Sequence, residues 1–142
     1  MIVLDANILL YSQNADAPQH AAVRTWLEQT LNGQEWVGLP WITCWAFLRI
    51  STHPRLFPSP LPMADAMSVI QQLAAQPRVR MIAPGPQHIR LLEQLALKYQ
   101  ITGPLVTDAA LAAICLEHGA TLASTDRGFA RFEDLRWINP LS

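Results

Sequence analysis

At 142 residues with 51% hydrophobic content, the chain suits one compact domain spanning residues 1–142, which at this length buries about 68–70% of the surface its unfolded form exposes. A net charge of −1 and a pI near 6.4 argue against the broad basic face carried by many nucleic-acid-binding proteins. The amino-terminal apolar run is too short to span a membrane and has no basic region ahead of it, so secretion and insertion are not expected and the cytoplasm is the expected compartment.

Taken in chain order, the pattern predicts a strand at Ile2–Leu4, a short helix from Ala6, and a helix over Gln19–Asn32. That second helix has apolar Ala22, Val23, Trp26, Leu27 and Leu31 at helical spacing and Gly33 just past its end. A strand at Glu35–Leu39 follows. Pro40 then opens a helix over Trp41–Ser51. The segment H-P-R-L-F-P-S-P-L-P at 53–62 has four prolines that exclude regular helix or a central strand, and it reads as an ordered loop. Next come a helix at Met63–Ala75, a strand at Val79–Ile82, a helix at Pro86–Tyr99, a helix at Asp108–His118, a strand at Thr121–Ala123, a short helix from Arg127 and a strand around Leu135–Ile138. Strands separated by helices imply right-handed crossovers and a parallel sheet with helices on both faces. Cys44 and Cys115 sit in apolar helical patterns without zinc-ligand spacing and are expected to be buried, inert thiols.

Three aspartates stand out. Asp5 ends the run Met1-Ile2-Val3-Leu4, Asp108 follows Pro104-Leu105-Val106-Thr107, and Asp126 follows Thr121-Leu122-Ala123-Ser124-Thr125. In open α/β sheets the functional crevice lies outside the carboxyl ends of the strands, so residues this far apart in sequence can share one pocket. Carboxylates gathered there repel one another unless a hard divalent cation such as Mg2+ neutralises them. Each Asp also precedes a predicted helix and could serve as its N-cap, a role compatible with metal binding. Helical phase turns Glu117 away from Asp108. Asp134 is a minor outer candidate.

The segments I-V-L-D-A-N-I-L-L-Y, V-G-L-P-W, F-L-R-I-S-T-H-P-R, L-V-T-D-A-A-L-A-A-I-C-L-E-H-G-A-T-L-A-S-T-D-R-G-F-A-R-F and L-R-W-I-N-P-L together resemble the PIN-domain ribonuclease toxins of VapBC toxin–antitoxin pairs. The resemblance implies a PIN-like three-layer α/β/α fold with a central parallel sheet of four to five strands. It implies a Mg2+-dependent endoribonuclease, with Mn2+ able to substitute, that acts as the toxin of a type II module on structured RNA such as tRNA. It further implies neutralisation by a VapB-type antitoxin and a homodimer. Asp5, Asp108 and Asp126 match acidic metal-site positions.

One position departs from that pattern. PIN nucleases usually carry a further acid on the helix after the second strand, but Trp41–Thr52 has no carboxylate and Ala46 aligns with the usual Glu. Asn7 and Thr125 are expected to orient water or carboxylates from behind the metal, and Arg49, on that same helix, to face the pocket or RNA. Nine of the ten cations are Arg, suited to bidentate phosphate contacts, and Arg49, Arg55, Arg127 and Arg131 flank the expected site. The five Trp are expected to pack the core or a partner interface, with Trp41 and Trp45 one helical turn apart. The competing readings are a haloacid-dehalogenase-type phosphatase, which needs a second Asp where Asn7 stands, and a receiver domain, which needs a late lysine where this chain has only Lys98. A third is a PIN-like RNA- or protein-binding module that has lost turnover with its fourth acid.

Overall fold

The structure, a computed structural model, describes all residues 1–142. Five strands alternate with six helices: β1 (Ile2–Leu4), α1 (Ala6–Gln13), α2 (His20–Leu31), β2 (Val37–Pro40), α3 (Trp41–Ser51), α4 (Met63–Ala74), β3 (Val79–Ile82), α5 (His88–Lys98), α6 (Val106–Glu117), β4 (Thr121–Ala123) and β5 (Arg136–Ile138). Two 3-10 turns, Gly103–Leu105 and Arg127–Arg131, precede α6 and β5. The sheet order is β3-β2-β1-β4-β5 with every neighbour parallel, the upper end of the expected strand number. Strand order reverses at β1, which puts the carboxyl ends of β1 and β4 side by side.

Both faces of the sheet are covered because the strands alternate in period two between apolar residues that point opposite ways. On β1, Val3 joins the cluster with Ile114, Phe129 and Phe132 beneath α5 and α6, while Leu4 joins Ile8, Val23, Phe47 and Ile70 beneath α1–α4. Leu122 and Ala123 on β4 divide in the same way. Truncating Leu4, which has no exposed surface, would cost about 2–5 kcal/mol, so the strand that carries Asp5 is held firmly. The proline-rich loop after α3 is also tied down, by buried Phe57 and by the Leu61 N–H, which donates to Ser51 O at 2.8 Å.

Two local expectations need correction. The run Pro104–Thr107 is helical: Gly103, at φ 58°, lets the chain turn into Pro104, whose fixed φ starts the 3-10 turn that flows into α6. Asp108 therefore lies inside the first turn of α6 and caps nothing, whereas Asp5 and Asp126 do serve as caps. Helix α5 begins at His88, two residues after the expected start, because its entry is held from α6. The Glu117 carboxylate accepts from the Gly85 N–H at 2.7 Å and the Gln87 N–H at 2.9 Å, and these bonds lower its pKa. The tryptophans divide: Trp26 and Trp137 are partly buried against the two core clusters, whereas Trp36, Trp41 and Trp45 are exposed. Cys44 and Cys115 are buried free thiols as expected, pushed up by burial to about 11 and about 12.

Candidate active site

The Asp5 N–H donates to Ala123 O at 3.0 Å, which ties together the ends of β1 and β4. The chain then turns at Ser124, which has no exposed surface. Its hydroxyl donates to Asp5 Oδ2 at 2.7 Å and accepts from Asn7 Nδ2 at 3.0 Å and from the Asp126 N–H at 3.0 Å. Asn7 Nδ2 also reaches Asp5 Oδ2 at 3.2 Å, and Asn7 Oδ1 accepts from the Thr125 N–H at 3.1 Å. Asp5 Oδ1 accepts from the Ala6 N–H at 2.7 Å. Both oxygens of Asp5 are thus fixed by donors: Oδ2 accepts two hydrogen bonds, while Oδ1 accepts one and keeps a lone pair for a further partner.

Asp5 and Asp108 line one cleft of about 250 Å3. Asp5, Asn7 and Leu10 enter it from β1 and α1; Thr107, Asp108 and Leu111 from α6; and Ile42, Thr43, Ala46 and Ile50 from α3. One wall is therefore acidic and another aliphatic. The Asp5 carboxyl is raised above its ordinary range, first by burial and then by Asp108 and Asp126, against the hydrogen bonds from Ser124 and Ala6. The Asp108 carboxyl is also raised, by burial and by Asp126, against the field of Arg131. Asp126 is exposed, lies outside the cleft lining and spends Oδ1 on the Gly128 N–H at 2.8 Å. No three acidic, histidine or cysteine side chains stand close enough to close on one ion. The site is two carboxylates in a cleft with a third charge at its rim, a looser arrangement than three aspartates around one metal.

The remaining expected residues fall unevenly. Asn7 is central. Thr125 contributes its backbone N–H, and no hydrogen bond involves its hydroxyl; the hydroxyl that orients Asp5 belongs to Ser124, which the sequence reading passed over. Its signal was the S-x-D spacing, because a serine two residues before an acid is placed to accept from that residue's N–H, as in an ST-turn. Arg49 is exposed and outside the cleft lining, because Ile42, Thr43, Ala46 and Ile50 define the inward face of α3 and position 49 stands roughly 75° from their mean direction. Asp134 pairs with Lys98 at 3.6 Å. Ala46 lines the cleft beside Asp5 and Asp108, as its alignment with the usual acid requires.

The sequence matches the PIN domain family over residues 2–135. The chain belongs to that family. Among the PIN domains it resembles are Ribonuclease VapC33 of Mycobacterium tuberculosis, 39% identical over 141 residues with 99% of both chains covered. Ribonuclease VapC43 of the same organism is 40% identical over 141 residues, covering 99% of this chain and 96% of that one. These relatives place the chain in the VapC branch. Its fold is shared with VapBC2 from Rickettsia felis, solved bound to a DNA fragment from their promoter (TM-score 0.72, 18% identity, 98% of each chain). It is shared as well with VapBC-1 from nontypeable Haemophilus influenzae (TM-score 0.72, 20% identity, 100% of each chain). No helix of the PIN domain is long and apolar enough to cross a membrane.

Proposed function

We propose that this PIN domain is a divalent-metal-dependent endoribonuclease, the toxin of a type II toxin–antitoxin module, that hydrolyses RNA phosphodiester bonds with water as nucleophile. The observation that carries the reading is the pairing of Asp5 and Asp108 in one cleft, both raised by burial and by neighbouring carboxylates, with no cation in an ion pair with either. Oxygen donors of this kind suit a hard cation. Mg2+ commonly binds through one or two carboxylates and keeps several waters, so a two-carboxylate cleft fits it without a closed protein cage. When bound, such an ion supplies Lewis-acid stabilisation of phosphate charge and makes water a stronger nucleophile.

The protein's own residues do the rest. Asp5 and Asp108 hold the cation, and Asp126 adds its charge from the rim. Ser124 and Asn7 fix the rotamer of Asp5 through Oδ2, which leaves Oδ1 with a lone pair for the cation. The aliphatic wall of Leu10, Ile42, Ile50 and Leu111 limits water access and raises the effective strength of charge inside. Mg2+ is the preferred ion, Mn2+ a substitute, and the compartment is the cytoplasm.

Family membership supports a VapB-type antitoxin as partner and RNA as substrate. A homodimer is supported by the apolar face on which Trp41 and Trp45, 46% and 64% exposed, lie beside Pro84 and Ile114. The test is cleavage of RNA by the purified chain. Activity is expected with Mg2+ or Mn2+, is lost in excess EDTA, and is silenced by the product of the small open reading frame adjoining its gene. Undiminished cleavage in EDTA would overturn the metal mechanism; RNA binding without cleavage under any condition would favour the binding-module reading.

The cleft geometry also predicts the effect of restoring the absent acid. Ala46→Glu places a third carboxylate on the cleft wall, with Arg49, its i+3 neighbour on α3, as the competing partner, so the double variant with Arg49→Gln is measured beside it. Mg2+ affinity measured by calorimetry should tighten by about 1 kcal/mol or more. Unchanged affinity in both variants would show that a side chain at position 46 does not reach the ion.

A further inference from the structure

Arg131 ends the 3-10 turn Arg127–Arg131, between Phe129 and Phe132, which are 1% and 2% exposed. Two buried aromatic anchors therefore fix the backbone that carries it. Its Nε donates to Gly128 O at 2.9 Å, which orients the guanidinium but uses only one of its five N–H donors. No carboxylate lies within ion-pair distance of it. Arg131 shares the turn of Asp126, the charge at the rim of the site, and stands outside the cleft lining.

Gly128 makes this arrangement possible. A Cβ at that position would lie 3.0 Å from Asp126 Oδ1 and 3.4 Å from Arg131 Nη2, so the missing side chain lets a carboxylate and a guanidinium share one turn. Arg49, Arg55 and Arg127 have no hydrogen bond that orients the guanidinium, and the remaining arginines are engaged elsewhere. Arg24 pairs with Glu28, Arg78 and Arg80 lie over the Trp36 ring, Arg90 bonds Gln87, and Arg136 bonds Gly119 O. Asp5 and Asp108 repel the polyanion that the proposed reaction requires, and a preoriented cation with free donors at the rim is the complement to that repulsion. A guanidinium grips phosphate bidentately, which a lysine ammonium does not reproduce.

We infer that Arg131 is a substrate-binding residue that holds a backbone phosphate of single-stranded RNA flanking the scissile one. This inference rests on the nuclease reading, but its test does not depend on turnover. Binding of a fluorescently labelled single-stranded RNA is measured by anisotropy in EDTA over a range of salt concentrations, for the wild-type chain, Arg131→Gln and Arg131→Lys. One phosphate contact on a single strand corresponds to a salt slope of about 0.7, so Arg131→Gln should flatten the log–log slope by about that amount and weaken binding about tenfold. Arg131→Lys should keep the slope and recover only part of the affinity. In steady-state cleavage with Mg2+, Arg131→Gln should raise KM about tenfold with kcat little changed, the signature of uniform binding. Equal affinity and equal slope for wild type and Arg131→Gln, both with the same melting temperature, would overturn the assignment. Arg131-dependent binding by a chain that never cleaves RNA would sustain it and remove the nuclease reading instead.

Discussion

Asp108→Asn should lower RNA cleavage by about a hundredfold to a thousandfold and at the same time make the metal-free protein more stable. The loss follows from removing one of two carboxylates in the cleft. A bound cation supplies several kcal/mol of transition-state stabilisation, and about 1.4 kcal/mol corresponds to each tenfold in rate. The gain follows from the direction of the Asp108 shift. Its carboxyl is raised by burial and by Asp126, so the folded chain binds that proton more tightly than the unfolded chain does. The stability this contributes is full below the ordinary carboxylate pKa of 3.8 and is lost as pH rises through the raised value. At neutral pH the ionised group is therefore a cost that asparagine removes. Because Asp108 is only partly buried and Arg131 offsets part of its repulsion, the gain should be under about 1 kcal/mol. No hydrogen bond ties the Asp108 side chain to the protein, so the exchange breaks no local network. Thermal melts in EDTA across pH check the prediction: the variant's advantage should shrink as pH falls toward the carboxylate range, and Mg2+ should raise the wild-type melting temperature more than the variant's. A variant that is less stable than wild type at neutral pH and more sensitive to acid would show that Asp108 is a structural carboxylate.

Much of this arrangement is legible in the chain because it depends on local rules. Ile2–Leu4, Val79–Ile82 and Thr121–Ala123 are short apolar runs bounded by residues that stop them, and each is a strand with the expected bounds. Asp5 follows β1 directly and Asp126 stands three residues past the end of β4, so their approach follows largely from the parallel pairing of those strands. Asp108 is different. Whether Pro104–Thr107 extends or coils depends on Gly103 adopting a left-handed conformation, and glycine is compatible with either outcome. The tryptophans are ambiguous for a related reason: composition says that large apolar side chains must find cover, not whether their own domain supplies it. Glu117 shows the same limit. Its phase correctly turns it from Asp108, yet its task of holding the entry to α5 through Gly85 and Gln87 depends on a packing of α5 against α6 that no spacing within either helix announces.

Ser124→Ala should move the pH dependence of cleavage without touching any acid. The hydroxyl of Ser124 joins three partners: it donates to Asp5 Oδ2 and accepts from Asn7 Nδ2 and the Asp126 N–H. Removing it at a site with no exposed surface leaves those groups underpaired and should cost about 1–3 kcal/mol of stability. Its bond to Asp5 favours the ionised carboxylate, opposing the burial that raises it. Without that bond the Asp5 carboxyl rises further, so a larger fraction is protonated at a given acidic pH and cannot hold a cation. The acidic limb of the rate profile should shift to higher pH, and the rate at neutral pH should fall about tenfold to a hundredfold, as for other groups that orient metal ligands from behind. Raising the Mg2+ concentration should draw the limb back, because the cation and the proton compete for the same oxygens. A general loosening of the fold would lower the rate at every pH and would not be reversed in this way. An acidic limb that stays where the wild type has it, in a variant that still folds, would mean that Asp5 is held by Asn7 and Ala6 alone and that Ser124 serves only to close the turn between β4 and Asp126.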